Sequence, residues 1–246
     1  MKPLLVVKTG TTLPELRERR GDYEQWFEDG LELERMPLEV VAAHEGEALP
    51  RPDRVGGIVI TGSSAMVSER EPWSERTAAW LRGAVRAEVP ILGVCYGHQL
   101  LAHALGGEVG TNPRGREIGT VEVDLSAASG DRLLDGLGPR CLFNATHVES
   151  VLRLPPRSIR LASNAADPNH AFALAGRPRR IWGVQFHPEF DDDVMRAYLH
   201  ARRAILAEEG LDADALLAAA RATPAGATLL GRFARLVEGL PESGPR

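Results

Sequence analysis

One stretch, Ile91-Leu92-Gly93-Val94-Cys95-Tyr96-Gly97-His98-Gln99-Leu100-Leu101, constrains the fold more than any other part of the chain. A short apolar run ends abruptly at a cysteine, and a helix-type pattern follows without a linker. This predicts a strand buried on both faces that turns directly into a helix. Glycines stand two residues before and two residues after Cys95. That is the spacing of a nucleophile elbow, with cysteine in the place of serine. The turn forces its central residue into a strained backbone conformation, at a cost of about 1–3 kcal/mol. Side chains two positions either way would collide, so Gly93 and Gly97 are expected there. The thiol then meets the positive end of a helix dipole. The backbone N–H of Tyr96 is aimed at a developing oxyanion, a contribution of roughly 2.7–4 kcal/mol per donor.

The surrounding pattern agrees with such a turn. Strand-type runs at residues 4–7, 38–43, 57–61 and 91–94 alternate with helix-type runs at 22–31, 72–88 and 97–105. The order predicts an α/β fold, a mostly parallel open sheet flanked by helices. Between residues 108 and 185 the pattern changes to short strands with Pro, Gly and Asn turns, which predicts a small additional antiparallel part. After residue 190 the chain is helical again. Val194, Met195, Tyr198, Leu199, Arg202 and Ile205 fit one face of one helix, and a last amphipathic helix carries Leu229, Leu230, Phe233, Leu236 and Val237. The expectation is one domain over residues 1–246, with residues 191–240 as a helical C-terminal segment and a frayed tail.

A second strand-type run, Ile181-Trp182-Gly183-Val184-Gln185-Phe186, leads into His187-Pro188-Glu189. Side chains at the end of a parallel strand project into the crevice where α/β proteins bind ligands. His187 is suited to take the thiol proton and return it to a leaving amine. Glu189, two residues on, shares a side with it in an extended segment and would orient the imidazole. Together these residues predict a Cys95-His187-Glu189 triad. A zinc pair at His187 and Glu189 lacks further histidines at ligand spacing, so no metal is expected.

Composition narrows the remaining function classes. The net charge of -5 offers no global attraction to nucleic acid or an anionic membrane. The arginine clusters Arg17, Arg19, Arg20 and Arg177, Arg179, Arg180 read as solvated surface. Two cysteines make no disulfide framework, and Cys141 reads as a core strand residue. Without a signal peptide pattern or a run of about 20 apolar residues, a soluble cytoplasmic protein is expected.

The segments GVCYGHQLLAHALGG (93–107) and GVQFHPE (183–189), in that order, resemble the class I, triad-type glutamine amidotransferases. Weaker likeness over residues 4–190 resembles the stand-alone, GMP-synthase-like members. The resemblance implies a flavodoxin-like fold, no cofactor, and hydrolysis of a γ-glutamyl amide through a cysteine thioester with release of ammonia. It implies that Gly62 and Ser63, in TGSSAMV (61–67), supply a second oxyanion donor, where the family more often has Gly-Gly-Pro. It implies that Gln99 contacts the glutamyl portion of the substrate. His147, in Thr146-His147-Val148-Glu149, matches a Ser-His-Gly-Asp loop that holds the amino-acid end, and Arg116-Glu117 resembles an Arg-Glu pair of the family.

The resemblance implies glutamine or another γ-glutamyl compound as the small-molecule partner, and a separate synthase subunit as the candidate ammonia acceptor. No ATP-pyrophosphatase domain or P-loop is visible in this sequence. Three readings stay open: a glutaminase that serves such a synthase, a γ-glutamyl hydrolase or peptidase acting on conjugates, and a non-catalytic binding or regulatory protein. A cysteine α/β hydrolase fits less well, because its acid would lie far from the histidine in sequence.

Overall fold

The computed structural model describes residues 2–176 and 180–239. The chain begins with β1 (Leu4–Lys8), α1 (Pro14–Arg20), α2 (Tyr23–Leu31), β2 (Leu38–Ala42), β3 (Gly57–Ile60), α3 (Pro72–Arg86), β4 (Ile91–Val94) and α4 (Tyr96–Ala104). Seven strands follow: β5 (Glu108–Thr111), β6 (Glu117–Asp124), β7 (Arg140–His147), β8 (Glu149–Arg153), β9 (Ser158–Ala162), β10 (Ala171–Leu174) and β11 (Ile181–Val184). Four helices complete it: α5 (Asp192–Ala201), α6 (Arg203–Glu208), α7 (Ala213–Ala219) and α8 (Pro224–Glu238).

The main sheet has seven strands in the order β2-β1-β3-β4-β11-β10-β9. The first five run parallel, and β10 is antiparallel to both its neighbours. The expected mostly parallel sheet with helices on its faces is therefore what forms. β1, β3, β4 and β11 read as unbroken apolar runs because both faces of these central strands are covered. Alternate side chains serve two cores. Leu4, Val6, Val59, Leu92 and Trp182 pack with Phe27 and Leu31 of α2 and Phe233 of α8. Leu5, Val7, Ile58, Ile60 and Ile91 pack with Leu81 of α3 and Leu100 and Leu101 of α4. A third cluster joins Leu16, Tyr23, Trp26, Phe190, Met195 and Tyr198 beside the sheet.

Local signals set the helix starts. Pro72 occupies the first turn of α3, and Ser74, Thr77, Ala78, Leu81 and Ala84 bury one helical face. Asp22 caps α2 and also accepts from Thr12 N at 2.8 Å. Asp191 caps α5, accepting from Val194 N at 2.8 Å.

The antiparallel part consists of two pairs, β5 with β8 and β6 with β7. The second pair reaches the sheet through an isolated bridge between Asn144 and His187. His187 N donates to the Asn144 carbonyl at 2.8 Å. The loop leaving β11 is thereby fastened to β7.

Four expectations need correction. The helix after residue 190 is two helices: α5 stops at Ala201, Arg202 takes φ -101 and ψ 7, and α6 restarts at Arg203. Ile205 falls off the buried face and is 40% exposed. Arg17 and Arg19 of α1 are exposed as expected, but Arg20 is only partly so: it pairs with Asp193 at 2.9 Å and Asp191 at 2.7 Å, and Arg19 shares Asp193 at 2.9 Å. Cys141 lies on β7 but is only half-buried, at the margin of the core, with Sγ 3.0 Å from the Leu137 carbonyl. α1 forms where the sequence pattern predicts no element, because Leu16 is its only buried residue. Arg177, Arg179 and the tail 240–246 lie outside the described residues.

Candidate active site

β4 ends at Val94, and α4 begins at Tyr96. Cys95 alone makes the turn, with φ 51 and ψ -103. This positive φ is strained for any residue with a side chain. The turn is locked from three sides. Cys95 N donates to the Val184 carbonyl at 2.9 Å, Gly97 N to the Thr61 carbonyl at 3.2 Å, and Gln99 N to the Cys95 carbonyl at 3.1 Å. Both glycines are needed for close approach. A Cβ on Gly93 would lie 2.5 Å from the Gly97 carbonyl oxygen, and one on Gly97 would run into the carbonyl of Ile60.

The parallel register of β4 and β11 pairs Val94 with Val184, so the two loops leave the sheet side by side. This brings His187 to Cys95 across more than ninety residues of chain. His187 Nδ1 lies 2.8 Å from Glu189 Oε1, and both side chains are buried. Pro188 between them fixes the backbone. The imidazole stacks on Phe190 at 4.0 Å and 19°. Its Nε2 is buried and has no hydrogen-bond partner apart from the Cys95 thiol beside it. Burial opposes charge on this ring, but the charges of Glu189 and Cys95 and their hydrogen bonds outweigh it, and the His187 pKa rises to about 10. The Cys95 thiol also lies 3.7 Å from the Thr146 carbonyl oxygen.

Cys95 and His187 open into a cleft of about 290 Å³. Thr11, Thr12, Ser63, Ser64, Thr146 and Tyr198 line it, together with Tyr23 and Arg202. Three hydroxyls form a chain across one wall: Tyr198 Oη is 2.9 Å from Thr12 Oγ1 and 2.8 Å from Tyr23 Oη. Burial pushes the Tyr23 phenol well above its ordinary range, so it stays a neutral donor.

The loop after β3 packs against Cys95 and His187. A Cβ on Gly62 would sit 2.9 Å from His187 Cε1 and 3.8 Å from Cys95 Cβ. The loop is pinned from behind. Thr9 N donates to Thr61 Oγ1 at 3.0 Å, and Thr61 Oγ1 in turn donates to the Gly62 carbonyl at 3.0 Å. Thr9 Oγ1 lies 2.9 Å from the Thr61 carbonyl and 3.0 Å from that of Gly62.

Two expected contact residues are not brought to this cleft. Gln99 is buried within α4, and its Nε2 donates to the Glu149 carbonyl at 2.7 Å and to Gln185 Oε1 at 3.0 Å. His147 ends β7 rather than lying in a loop. Its Nδ1 is 2.9 Å from the Glu149 carbonyl, and its Nε2 is 2.8 Å from Glu117 Oε2. Both side chains are committed to holding the chain beneath the cleft, and only the neighbouring Thr146 reaches it. Tyr96 turns its phenol away, to Ser74 Oγ at 2.7 Å, and leaves only its backbone at the elbow.

The resemblance singles out Glu117 and His147 separately, but the sequence does not show that they meet under the site. Glu117 Oε2 also meets His170 Nε2 at 2.7 Å, and Glu117 Oε1 accepts from Asn164 Nδ2 at 2.6 Å. Burial opposes the charge on Glu117, but the two imidazoles hold its carboxyl well below the usual carboxylate range. Glu117, His147 and His170 are the one group among the described residues whose donor atoms converge closely enough for a metal ion. Their N···O separations of 2.7 and 2.8 Å are hydrogen-bond lengths, which already pair the carboxylate with both rings. His98 lies nearby, and burial pushes its pKa down to about 4. Gly183 leaves room for that ring, since a Cβ there would be 2.6 Å from His98 Nδ1. No local motif announces this network. Its members come together only when β6, β7 and the segment before β10 pair.

Residues 23–205 match the profile of the family described as "Glutamine amidotransferase class-I". The chain belongs to this family. The segment of GMP synthase [glutamine-hydrolyzing] from Aeropyrum pernix that aligns with it is 40% identical over 144 residues, 58% of this chain and 25% of that protein. A GMP synthase [glutamine-hydrolyzing] subunit from Methanococcoides burtonii is 35% identical over 133 residues, 54% of this chain and 64% of that one. The chain thus spans a quarter of the first relative's length and just under two thirds of the second's. A solved glutamine amidotransferase from Thermotoga maritima superposes with a TM-score of 0.73 at 20% identity, covering 97% of this chain and 99% of that chain. One from Methylobacillus flagellatus gives 0.70 at 22%, covering 100% and 98%. At these identities the superpositions establish the shared fold. Family membership rests on the profile match.

Proposed function

We propose that this amidotransferase-family chain hydrolyses the γ-carboxamide of glutamine through a thioester on Cys95, releasing ammonia. The observation that carries the proposal is the meeting of Cys95, strained at φ 51, with a His187 ring oriented by Glu189 at 2.8 Å. Cys95 Sγ forms a bond to the γ-carbonyl carbon while His187 holds the thiol proton. The negative charge moves onto the carbonyl oxygen, and two backbone donors face it. One is Tyr96 N–H at the first turn of α4. The other is Ser63 N–H. The Gly62 carbonyl is turned toward the Thr9 and Thr61 hydroxyls, and in a planar trans peptide the Ser63 N–H points the opposite way. When the intermediate collapses, the C–N bond breaks and His187 protonates the leaving nitrogen. Water, deprotonated by the same imidazole, then cleaves the thioester to glutamate and restores the thiol.

Glu189 keeps the Nδ1 proton in place and offsets the positive charge on His187 throughout. The relatives named as one subunit of a glutamine-hydrolysing GMP synthase support delivery of ammonia to a synthase on a separate chain. Among the described residues no helix is long and apolar enough to cross a membrane. We infer a cytoplasmic enzyme acting on a small, soluble substrate.

Ammonia release from glutamine, measured beside a panel of N-substituted γ-glutamyl amides and peptides, tests the proposal, with Cys95→Ala as control. Turnover of glutamine that disappears in the variant supports it. Release of amines from γ-glutamyl conjugates without glutamine turnover assigns the site to conjugate hydrolysis instead. A Cys95 that neither turns over any of these nor reacts with a glutamine-mimicking electrophile overturns both.

A further inference from the structure

We propose that Arg202 is the carboxylate-binding residue of the Cys95 cleft, engaging the α-carboxylate of a γ-glutamyl amide. This rests on the assignment of the cleft to γ-glutamyl amides.

Arg202 sits at the break between α5 and α6, and its side chain lines the same cleft as Cys95 and His187. Its Nη1 is buried and has no hydrogen-bond partner. A buried guanidinium nitrogen without a partner is costly unless an anion arrives to meet it. Its neighbour Arg116, and Arg20 and Arg196 of α1 and α5, are already satisfied. Arg116 makes a two-pronged pair with Glu209 at 2.8 and 3.0 Å, and Arg20 is held by Asp191 and Asp193. Arg196 donates to the carbonyls of Leu217 and Ala220. No carboxylate side chain is among the residues that line the cleft, so Arg202 faces a wall of hydroxyls, apolar groups and the catalytic pair.

The guanidinium is also held in one orientation. Its central carbon lies 4.7 Å from the centroid of the Tyr198 ring. Tyr198 is in turn fixed by Thr12 and Tyr23. Stacking on an aromatic face leaves the edge of the planar fork available for two parallel hydrogen bonds, the geometry that suits a carboxylate. Burial pulls the Arg202 pKa down from its ordinary value, as expected for a cation without a counter-ion. A γ-glutamyl amide carries its reacting carbonyl and its α-carboxylate at opposite ends of a short chain. Cys95 and Arg202, lining one cleft of about 290 Å³, provide for those two ends.

The test compares glutamine with 4-aminobutanamide, which keeps the amide and amine and lacks the carboxylate. Wild-type protein is expected to prefer glutamine. In Arg202→Ala, KM for glutamine should rise roughly 10- to 100-fold with a much smaller change in kcat, and the preference over 4-aminobutanamide should shrink by the same factor. Arg202→Lys, which keeps the charge but not the fork, should fall between the two and serves as the readout if the alanine variant does not fold. A parallel loss of kcat/KM on both substrates, as a role in supporting the thiol or the α5–α6 break would produce, overturns the proposal. So does an unchanged KM for glutamine.

A second measurement separates this idea from the catalytic assignment. Protection of Cys95 against iodoacetamide is read with glutamate as the competing ligand, and it requires no turnover. Protection in wild type that is lost in Arg202→Ala supports carboxylate binding even if glutamine is not hydrolysed. Equal protection in both, or none in either, overturns it even if glutamine is hydrolysed.

Discussion

His187 Nδ1 and Glu189 Oε1 lie 2.8 Å apart inside the protein, joined by a hydrogen bond that spans a single proline. Their closeness is local, but the raised His187 pKa of about 10 depends on the buried setting that the fold supplies. Glu189→Gln keeps the shape and removes the charge. The alkaline limb of the kcat/KM profile should then move down by roughly 1–3 pH units, and kcat should fall by roughly 10²–10⁴-fold. A pH-rate profile of the variant against wild type checks both.

The same pair contributes to stability in a defined window. A histidine whose folded pKa lies above its ordinary value of 6.5 stabilises the fold fully below pH 6.5, and the contribution fades as pH rises through about 10. Wild-type stability in urea should therefore decline between those values more steeply than that of Glu189→Gln. Parallel curves would show that the pair adds nothing.

Gly62 stands 2.9 Å, measured from its virtual Cβ, from His187 Cε1. Gly62→Ala should push the imidazole out of line with the thiol and cost roughly 10²-fold in kcat, the scale of an ångström-sized misplacement. The far end of the loop remains tied by Thr9 and Thr61, so the melting temperature should change little. Kinetics and thermal unfolding of one preparation test this directly.

Gly97 has no such tolerance, because a Cβ there would meet the carbonyl group and Cβ of Ile60 rather than the far end of a side chain. Gly97→Ala must move β3 or α4, and a loss of about 1–3 kcal/mol in unfolding free energy is expected. The urea midpoint reads it, and the alkylation rate of Cys95 should drop in the same variant as the elbow shifts.

Glu117 is bonded to His147 at 2.8 Å and His170 at 2.7 Å. Glu117→Gln leaves two buried rings without their shared anion, and about 3–5 kcal/mol of stability should go with it. The carboxyl is held below its ordinary value of 4.5, so its stabilisation is complete above that pH and is lost as acid protonates it in the folded state. Acid unfolding of wild type should show this dependence, and Glu117→Gln should lack it.

Much of the fold is legible in the sequence because its signals are short-range. Unbroken apolar runs mark β1, β3, β4 and β11, and proline or aspartate marks the starts of α2, α3 and α5. The elements that the pattern does not announce bury little. α1 buries only Leu16, and β5 and β8 are partly exposed strands of a two-stranded pair. The break at Arg202 is hidden because the apolar spacing runs on to Ile205, and periodicity records a face without recording where a helix stops.

By itself the sequence determined the Cys95 elbow, the His187-Glu189 pair and the alternation that builds a parallel sheet. Each follows from backbone sterics or side-chain period within a dozen residues. Tertiary structure alone decided which other side chains face Cys95. It drew Gln99 and His147 into bonds with Glu149 and Glu117, beneath the cleft rather than in it. It also turned Arg202, more than a hundred residues beyond Cys95, into the cleft with its Nη1 unpartnered. These placements depend on which strands pair and on how a broken helix packs against them, and no local period encodes that.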